Sequence, residues 1–194
     1  MNYLRKLYDW TLLKSHHPRA PWLLAIIAFV ESSFFPFPPD IILIPMIIAK
    51  RLQAWWFAFI CTISSVLGGI AGYCIGYFFY SSLGVLIVNY YSLNDQFDLF
   101  EQYYNDFGVL IVLTGGFTPF PFKFITIASG FFGLNIFLFI GVAIIARGLR
   151  FYLLAFLLKV FGNAITNIID KYFNLLATLF VILLLGGFIM IKYL

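Results

Sequence analysis

Charged residues are scarce in this chain. Only 10% of its 194 residues are charged, whereas 63% are hydrophobic and 21% are aromatic. A soluble domain carries roughly 25% charged residues, so a chain of this composition lacks the polar groups to cover a water-exposed surface. No Ser/Gly-rich linker or low-complexity tract divides it. The sequence therefore predicts one all-α integral membrane domain over residues 1–194.

Cysteine and histidine are also scarce, which limits the disulfides, catalytic pairs and metal sites that the chain can form. Cys61 and Cys74 lie in one apolar segment, roughly 20 Å apart along a helix, which is too far for a disulfide. Both histidines, His16 and His17, lie in the N-terminal tail, and no nucleophile–base pair or metal-ligand spacing occurs. The sequence thus predicts no enzyme, no cofactor and no metal site. Basic residues form no soluble patch, which argues against nucleic-acid binding.

Long apolar runs, in contrast, are abundant. Three of them reach the roughly 20 residues that a spanning helix needs: 54–88, 134–158 and 172–191. Two others, 22–49 and 107–132, are each cut by a proline pair that a continuous helix does not tolerate. These pairs are Pro36 with Pro38 and Pro119 with Pro121.

The placement of charge between the runs predicts a topology. Loop 89–106 carries four acids and no base, whereas Lys50, Arg51 and the tail before residue 22 are basic. Basic loops stay on the cytoplasmic side. Every loop reaches its preferred side only if 22–49 enters the membrane and returns as a re-entrant hairpin. The N-terminus is then cytoplasmic, and 81–106 is an external loop with a short interfacial stretch.

This topology is an inverted repeat of hairpin plus helix with two additions. Repeat one covers 22–88 and repeat two, in the opposite orientation, covers 107–162; a C-terminal spanning helix follows at 172–191. Residues 1–19 place leucines opposite scattered charges, which predicts an interfacial amphipathic helix. A partly ordered cytoplasmic tail is the alternative. Gly68, Gly72 and Gly76 recur at a spacing typical of close helix packing.

The two proline breaks predict a binding site. Each has a Pro-Phe-Pro core followed by an ionisable residue, Asp40 in the first and Lys123 in the second. Interrupted segments at matching positions of two repeats are typical of a site near the middle of the bilayer. We expect the two breaks to meet there, with a salt bridge between Asp40 and Lys123. A helix N-cap for Asp40 and a lysine that snorkels to the interface are the alternatives.

Five ionisable residues lie in apolar surroundings, and their charges do not balance. Glu31 and Asp40 are matched against Lys123, Arg147 and Arg150. Each charge at the bilayer centre costs about 2.5–3.5 kcal/mol, so three cations require more than two carboxylates as partners. The excess predicts an anionic substrate whose phosphate is held by Lys123, Arg147 and Arg150. Alternatively, the arginines pair with Glu31 and Asp40 only to lock the bundle.

The motifs resemble the DedA superfamily, also called the VTT or SNARE-associated domain family. They are Glu31 with Pro36-x-Pro38-x-Asp40, Pro119-x-Pro121-x-Lys123, and Ala146-Arg147-Gly148-Leu149-Arg150-Phe151, which is similar to the YqaA-like branch. The resemblance covers roughly 22–162. It implies lipid movement between leaflets, coupling of Glu31 and Asp40 to the proton motive force, and a requirement for Lys123. This chain departs from the better-studied members, which usually have arginine near the second proline pair, where it has Lys123.

Residues and resemblance together predict a flippase- or scramblase-like transporter in the bacterial inner membrane. Its partners are membrane lipids, and its substrate is an anionic phospholipid or a polyprenyl phosphate, with proton coupling by Glu31 or Asp40. A homodimer is compatible with the sequence. Two alternatives stay open: a proton-coupled small-solute transporter or antiporter, and a membrane scaffold that transports nothing.

Overall fold

The computed structural model describes residues 19–34, 38–84, 90, 94–118 and 120–162. All regular structure in these residues is helical, with no strand, which confirms the predicted all-α class for this part of the chain. The predicted interfacial helix up to residue 18, the C-terminal span over 172–191, Pro36 and Pro119 lie outside the described residues.

Six α-helices can be traced in the described part of the chain. They are α1 Ala20–Ser33, α2 Asp40–Ala49, α3 Ala54–Phe79, α4 Asn94–Phe117, α5 Phe122–Phe131 and α6 Ile136–Gly162. A short 3-10 helix, Arg51–Gln53, precedes α3, and a π-helical turn, Tyr80–Gly84, follows it. Two stretches, Arg51–Ser82 and Ile136–Gly162, are long and apolar enough to cross a membrane.

Helices α1 and α2 are separated by the first proline pair, and α4 and α5 by the second. Pro39 precedes the first residue of α2, and Pro121 precedes the first residue of α5. Proline suits a position at the start of a helix because its missing N–H would have no partner there. The same two sites thus end one helix and start the next.

The sequence prediction was wrong about residues 94–106. They were assigned to an external loop, with the second hairpin starting at 107, but they form the first half of the continuous helix α4. Asp98, Glu101 and Asp106 lie within α4, beyond its first turn. Tyr104 is buried and stacks on Phe132, with ring centroids 5.2 Å apart. The acidic stretch is therefore part of a helix that packs against the rest of the bundle.

Glycines on α3 let α1 and α5 approach its backbone. A Cβ atom at Gly68 would overlap the carbonyl oxygen of Phe29, and one at Gly76 would overlap that of Ile127. At Gly72 a Cβ would meet the hydroxyl of Thr126. Alanine at Gly68 or Gly76 would require a backbone shift, and alanine at Gly72 would require movement of the Thr126 side chain, so the three glycines allow α1 and α5 to pack closely on α3.

Two apolar clusters lie towards opposite ends of the bundle. The first joins the beginnings of α1 and α3 to the ends of α2 and α6, through Leu24, Phe57, Ile47 and Leu158 among others. The second joins α3, α4, α5 and α6, through Tyr73, Val112, Phe122 and Phe139 among others. Helix α3 therefore runs from the first cluster to the second and α6 runs back. The chain also returns to the first cluster between α1 and α2.

We name the two ends by their charges. The end with the first cluster carries Lys50, Arg51 and Lys159 and is called the basic end. The end with Tyr104 and Phe132 carries Asp98, Glu101 and Asp106 on α4 and is called the acidic end. The predicted binding residues lie between these two ends.

Candidate functional site

Four of the five predicted ionisable residues come together as two ion pairs, both anchored on α6. Arg147 Nη2 lies 2.9 Å from Glu31 Oε2, and Arg150 Nη2 pairs with Asp40 Oδ2. The carboxylates come from either side of the first break, Glu31 on α1 and Asp40 on α2. This is the pairing that the sequence left open as an alternative to phosphate binding by both arginines.

The Arg147 pair closes a ring of hydrogen bonds. Arg147 Nε donates to Ser65 Oγ over 2.6 Å, and Ser32 Oγ donates to Glu31 Oε2 over 3.0 Å. The two serine oxygens are 2.7 Å apart. Because the one hydroxyl hydrogen of Ser32 goes to Glu31, Ser65 is the donor between the serines. The ring therefore links α1, α3 and α6 without a mismatch of donors and acceptors.

Two phenylalanines complete the enclosure of Arg147. Its guanidinium carbon lies 5.0 Å from the ring centroid of Phe122 and 4.7 Å from that of Phe151. Both distances are within the range of a cation–π interaction. The residue is only 1% exposed. In the described part of the chain, its Nη1 atom has no hydrogen-bond partner.

The Arg150 pair lies where the two breaks meet. Arg150 Nη1 donates to the carbonyl oxygen of Thr118 over 2.7 Å, while Nη2 binds Asp40. One guanidinium thus joins the end of α4 to the start of α2. The side chains of Arg150 and Asp40 are 17% and 24% exposed, and Asp40 Oδ1 has no hydrogen-bond partner among the described residues.

A cavity of about 230 Å³ opens beside the Arg150 pair. Its polar part consists of Asp40 and Arg150, and the rest of its lining is apolar: Phe117, Leu153, Leu154 and Leu157. Phe117, Leu153 and Leu157 are also exposed on the outer surface. The cavity therefore continues from a charged pair to an apolar flank of α6.

Lys123 lies at the start of the helix that follows the second break, as predicted, but it does not have the predicted partner. The expected partner of Lys123, Asp40, binds Arg150 instead, so the predicted salt bridge between the breaks is wrong. Lys123 is half-buried at the start of α5, with Nζ 5.2 Å from the ring centroid of Phe124. Its ammonium group forms no ion pair within the described residues. It is the cation left over when the two pairs have formed.

The alternative role suggested for Asp40, a helix N-cap, is also not observed. Pro39 occupies that position, and Asp40 is the first residue of α2 with its side chain directed to Arg150. Its negative charge still suits the first turn of a helix. Asp40 thus combines a favourable position on α2 with an ion pair to α6.

Several residues of the site were missed by the sequence prediction. Ser65 is the hydrogen-bond partner of Arg147 Nε, and Phe122 and Phe151 enclose its guanidinium. The only available signal was that Ser65 lies one turn before Gly68 on the face of α3 that packs against α1. The Ser33 hydroxyl lies within hydrogen-bond distance of the carbonyl oxygens of Phe29 and Gly68 and connects α1 to α3. Among the described residues, no three His, Cys, Asp or Glu side chains converge as a metal site requires.

The described residues define an all-helical fold in which two ion pairs join interrupted helices to one long apolar helix. The chain belongs to the same family as an uncharacterized protein from Haemophilus influenzae. The two are 34% identical over 193 residues, which cover 99% of this chain and 100% of the relative. An uncharacterized protein from Histophilus somni is 29% identical over 157 residues, or 81% of this chain and 82% of the relative. No family model matches the chain, and no solved structure matches it significantly.

Proposed function

We propose that this chain is an integral membrane protein that moves an anionic phospholipid or polyprenyl phosphate between leaflets. In this proposal α3 and α6 span the bilayer. The helix pairs α1–α2 and α4–α5 are re-entrant hairpins that enter from opposite sides, as an inverted repeat.

The surface of α6 supports the membrane placement. Only 28% of the residues in the most apolar part of α6 are buried inside the protein. The exposed side chains on this helix are almost all large and apolar: Phe137, Leu138, Ile144, Ile145, Leu149, Leu153, Phe156, Leu157, Val160 and Phe161. Monomeric soluble proteins rarely expose a continuous apolar patch of this kind. Lipid chains are the surroundings that suit such a helix.

The antiparallel course of α3 and α6 supports the inverted repeat. Each long helix follows a pair of shorter helices with a proline break, α1–α2 before α3 and α4–α5 before α6. The two breaks approach each other, since Arg150 binds Asp40 after the first and Thr118 before the second. Opposed repeats whose interrupted helices meet are typical of transporters with a site near the midplane.

The cavity beside Arg150 is the single observation that carries the lipid assignment. A guanidinium presents a planar set of donors that matches a phosphate, and the adjoining leucines present hydrocarbon. An amphiphile with an anionic head and an apolar tail has the same two parts. The phosphate binds Arg150, and the tail lies along Leu153 and Leu157. A carrier for small polar solutes has no use for the apolar flank, which favours the lipid over the solute alternative.

Competition for Arg150 suggests how binding leads to movement. Without substrate, Arg150 holds Asp40 and Thr118, and therefore α2 and the end of α4, against α6. A phosphate that takes the place of the Asp40 carboxylate frees the start of α2. The Arg147 ring is untouched and keeps α1, α3 and α6 together. Opening at α2 with a fixed core is a local rearrangement that gives the head group a path through the protein.

The resemblance to the DedA superfamily adds proton coupling to the proposal. Of the two carboxylates, Asp40 borders the cavity, whereas Glu31 is enclosed in the hydrogen-bonded ring. Asp40 is therefore the better placed to exchange a proton during transport. Protonation of its carboxylate and binding of a phosphate to Arg150 would act in the same direction, since each breaks the Asp40–Arg150 pair.

Reconstitution into liposomes tests the proposal. Fluorescently labelled phosphatidic acid, phosphatidylglycerol and phosphatidylcholine are followed between leaflets by dithionite quenching, with and without a pH gradient. We expect the anionic lipids to move faster than in protein-free liposomes, and Arg150→Gln to slow them at least about tenfold although the variant protein is still folded. Arg19→Gln, which removes an exposed cation far from the cavity, is the matched control. The proposal would be overturned if lipids moved no faster than in protein-free liposomes, or if Arg150→Gln moved them as fast as the unchanged protein.

A further inference from the structure

Aromatic and basic side chains are combined at the basic end, away from the cavity. Lys159 Nζ lies 5.3 Å from the ring centroid of Trp55, and Tyr152 stacks on the same indole with centroids 5.9 Å apart. Trp56 stacks on Phe59 at 5.7 Å. Trp55 and Trp56 are 39% and 55% exposed, so both indoles face the surroundings of the protein.

The turn between α2 and α3 continues this surface. It forms a shallow cavity of about 510 Å³ lined by residues 48–53, which include Lys50, Arg51 and Leu52. Leu52 is 93% exposed at the tip of the turn. Arg51 packs against the end of α6, where the guanidinium occupies the space that a side chain at Gly162 would need. Cations and an outward apolar tip thus share one turn.

The charges of the described residues are separated along the bundle. Glu31 and Asp40 are occupied by the arginines of α6, and the remaining described acids lie on α4 at the acidic end. Lys159 forms no ion pair with any of them. The Lys159 ammonium group therefore lies beside the exposed Trp55 with no carboxylate partner among the described residues. Tryptophan and tyrosine prefer the head-group level of a membrane, and basic residues next to a membrane are attracted to anionic lipids.

We infer that the basic end is a second lipid site, which binds the phosphate of an anionic lipid in the adjoining leaflet. Lys159 contacts the head group, while Trp55, Trp56 and Leu52 lie at the boundary with the acyl chains. Lys159 is nine residues beyond Arg150 on α6, or roughly 13 Å along the helix axis, and it does not line the transport cavity. The inference rests on the membrane placement proposed above, and it is independent of transport.

Quenching of Trp55 by brominated lipids tests this site. Trp10, Trp22 and Trp56 are replaced by Phe in the full chain, so that Trp55 alone fluoresces. The protein is reconstituted in vesicles that contain either brominated phosphatidylglycerol or brominated phosphatidylcholine at the same mole fraction. We expect a roughly fivefold preference for the anionic lipid near Trp55, as a basic residue at a membrane surface produces, and a decrease of this preference in about 0.5 M NaCl.

Two variants of this single-tryptophan protein test which cation causes the preference for the anionic lipid. Lys159→Gln removes the cation over Trp55 and is expected to abolish most of the preference for the anionic lipid. Lys123→Gln removes a cation outside the basic end and is expected to leave this preference unchanged. Equal quenching by the two lipids, or a preference that survives Lys159→Gln, would overturn the second site alone. Quenching by neither lipid would overturn the membrane placement as well. A normal transport rate with equal quenching would leave the transport proposal intact.

Discussion

Arg147 and Arg150 lie one turn apart on α6, but their surroundings differ. Arg147 is 1% exposed, belongs to a closed ring with Glu31, Ser32 and Ser65, and lies between two phenyl rings. Arg150 borders a cavity, and the carboxylate that it binds retains an oxygen without a partner in the described structure. Arg147 Nη1 also lacks a partner among the described residues, but the first pair is enclosed within the protein, whereas the second borders a cavity.

The difference arises from what packs against each turn of α6. At Arg147, α3 and α1 are held close by Gly68 and its neighbours, so the guanidinium is surrounded by fixed donors and acceptors. At Arg150, the neighbouring elements are the two helix breaks, which leave a gap lined by leucines. Two arginines on the same helix face can therefore have different functions, one in stability and one in binding.

The largest effect is expected from removal of one member of the enclosed pair. Arg147→Gln leaves the Glu31 carboxylate buried without its partner, which costs about 3–5 kcal/mol. Arg150→Gln should cost less than half as much, because both side chains of its pair are partly exposed. The free energy of unfolding in detergent, measured by denaturant titration with far-UV circular dichroism, compares the two variants directly.

A double variant controls for this comparison. In Glu31→Gln/Arg147→Gln both buried charges are gone, so the loss should be smaller than the sum of the two single losses by about 1 kcal/mol or more. Equal losses for Arg147→Gln and Arg150→Gln, or additive losses in the double variant, would contradict the distinction between an enclosed and an open pair.

A smaller effect is expected from the serine that completes the ring. Ser65→Ala leaves Arg147 Nε and Ser32 Oγ each short of a partner, and an unsatisfied buried polar group costs about 1–3 kcal/mol. Lipid movement per folded molecule should not change, since Ser65 does not line the cavity. Ser64→Ala, at the half-buried neighbouring position outside the ring, is the control. Slower transport by folded Ser65→Ala would show that the ring takes part in transport.

The smallest effect is expected at the open pair and concerns affinity. Asp40→Asn removes the carboxylate that competes with a phosphate for Arg150, so the mole fraction of anionic lipid that half-saturates transport should fall about threefold to tenfold, equivalent to roughly 0.7–1.4 kcal/mol. Liposomes with graded fractions of phosphatidic acid give this value. An unchanged or higher half-saturation would indicate that Asp40 does not compete with the lipid.

Much of the fold follows from the sequence because its physical causes are local. A closely spaced proline pair disfavours a continuous helix, so the interruptions near Pro38 and Pro121 were predictable, whereas the single Pro45 lies inside α2. The long apolar runs that became α3 and α6 were also evident. The start of α4 was not, because an acidic stretch is equally compatible with an external loop. The contact of Tyr104 with Phe132, made through the fold, favours the helix.

The site could be predicted only in part. The sequence identified all five ionisable residues and showed that one cation lacks a carboxylate. It could not assign the pairs. Arg147 and Arg150 project from one helix face, and Glu31 and Asp40 lie on either side of a break whose geometry is not encoded locally. The sequence paired Lys123 with Asp40 because the two residues hold matching positions in the repeats. In the structure Arg150 lies between the two proline breaks and binds Asp40 instead.

The sequence by itself determined which residues must find partners, because a charge in apolar surroundings is costly wherever the chain folds. It also determined where the helices are interrupted. Only the tertiary structure decided which partner each charge obtains, since the contacts that join Glu31 to Arg147 and Asp40 to Arg150 span more than 100 residues of sequence. The close approach permitted by the glycines of α3 encloses one pair, and the gap between the two breaks leaves the other open.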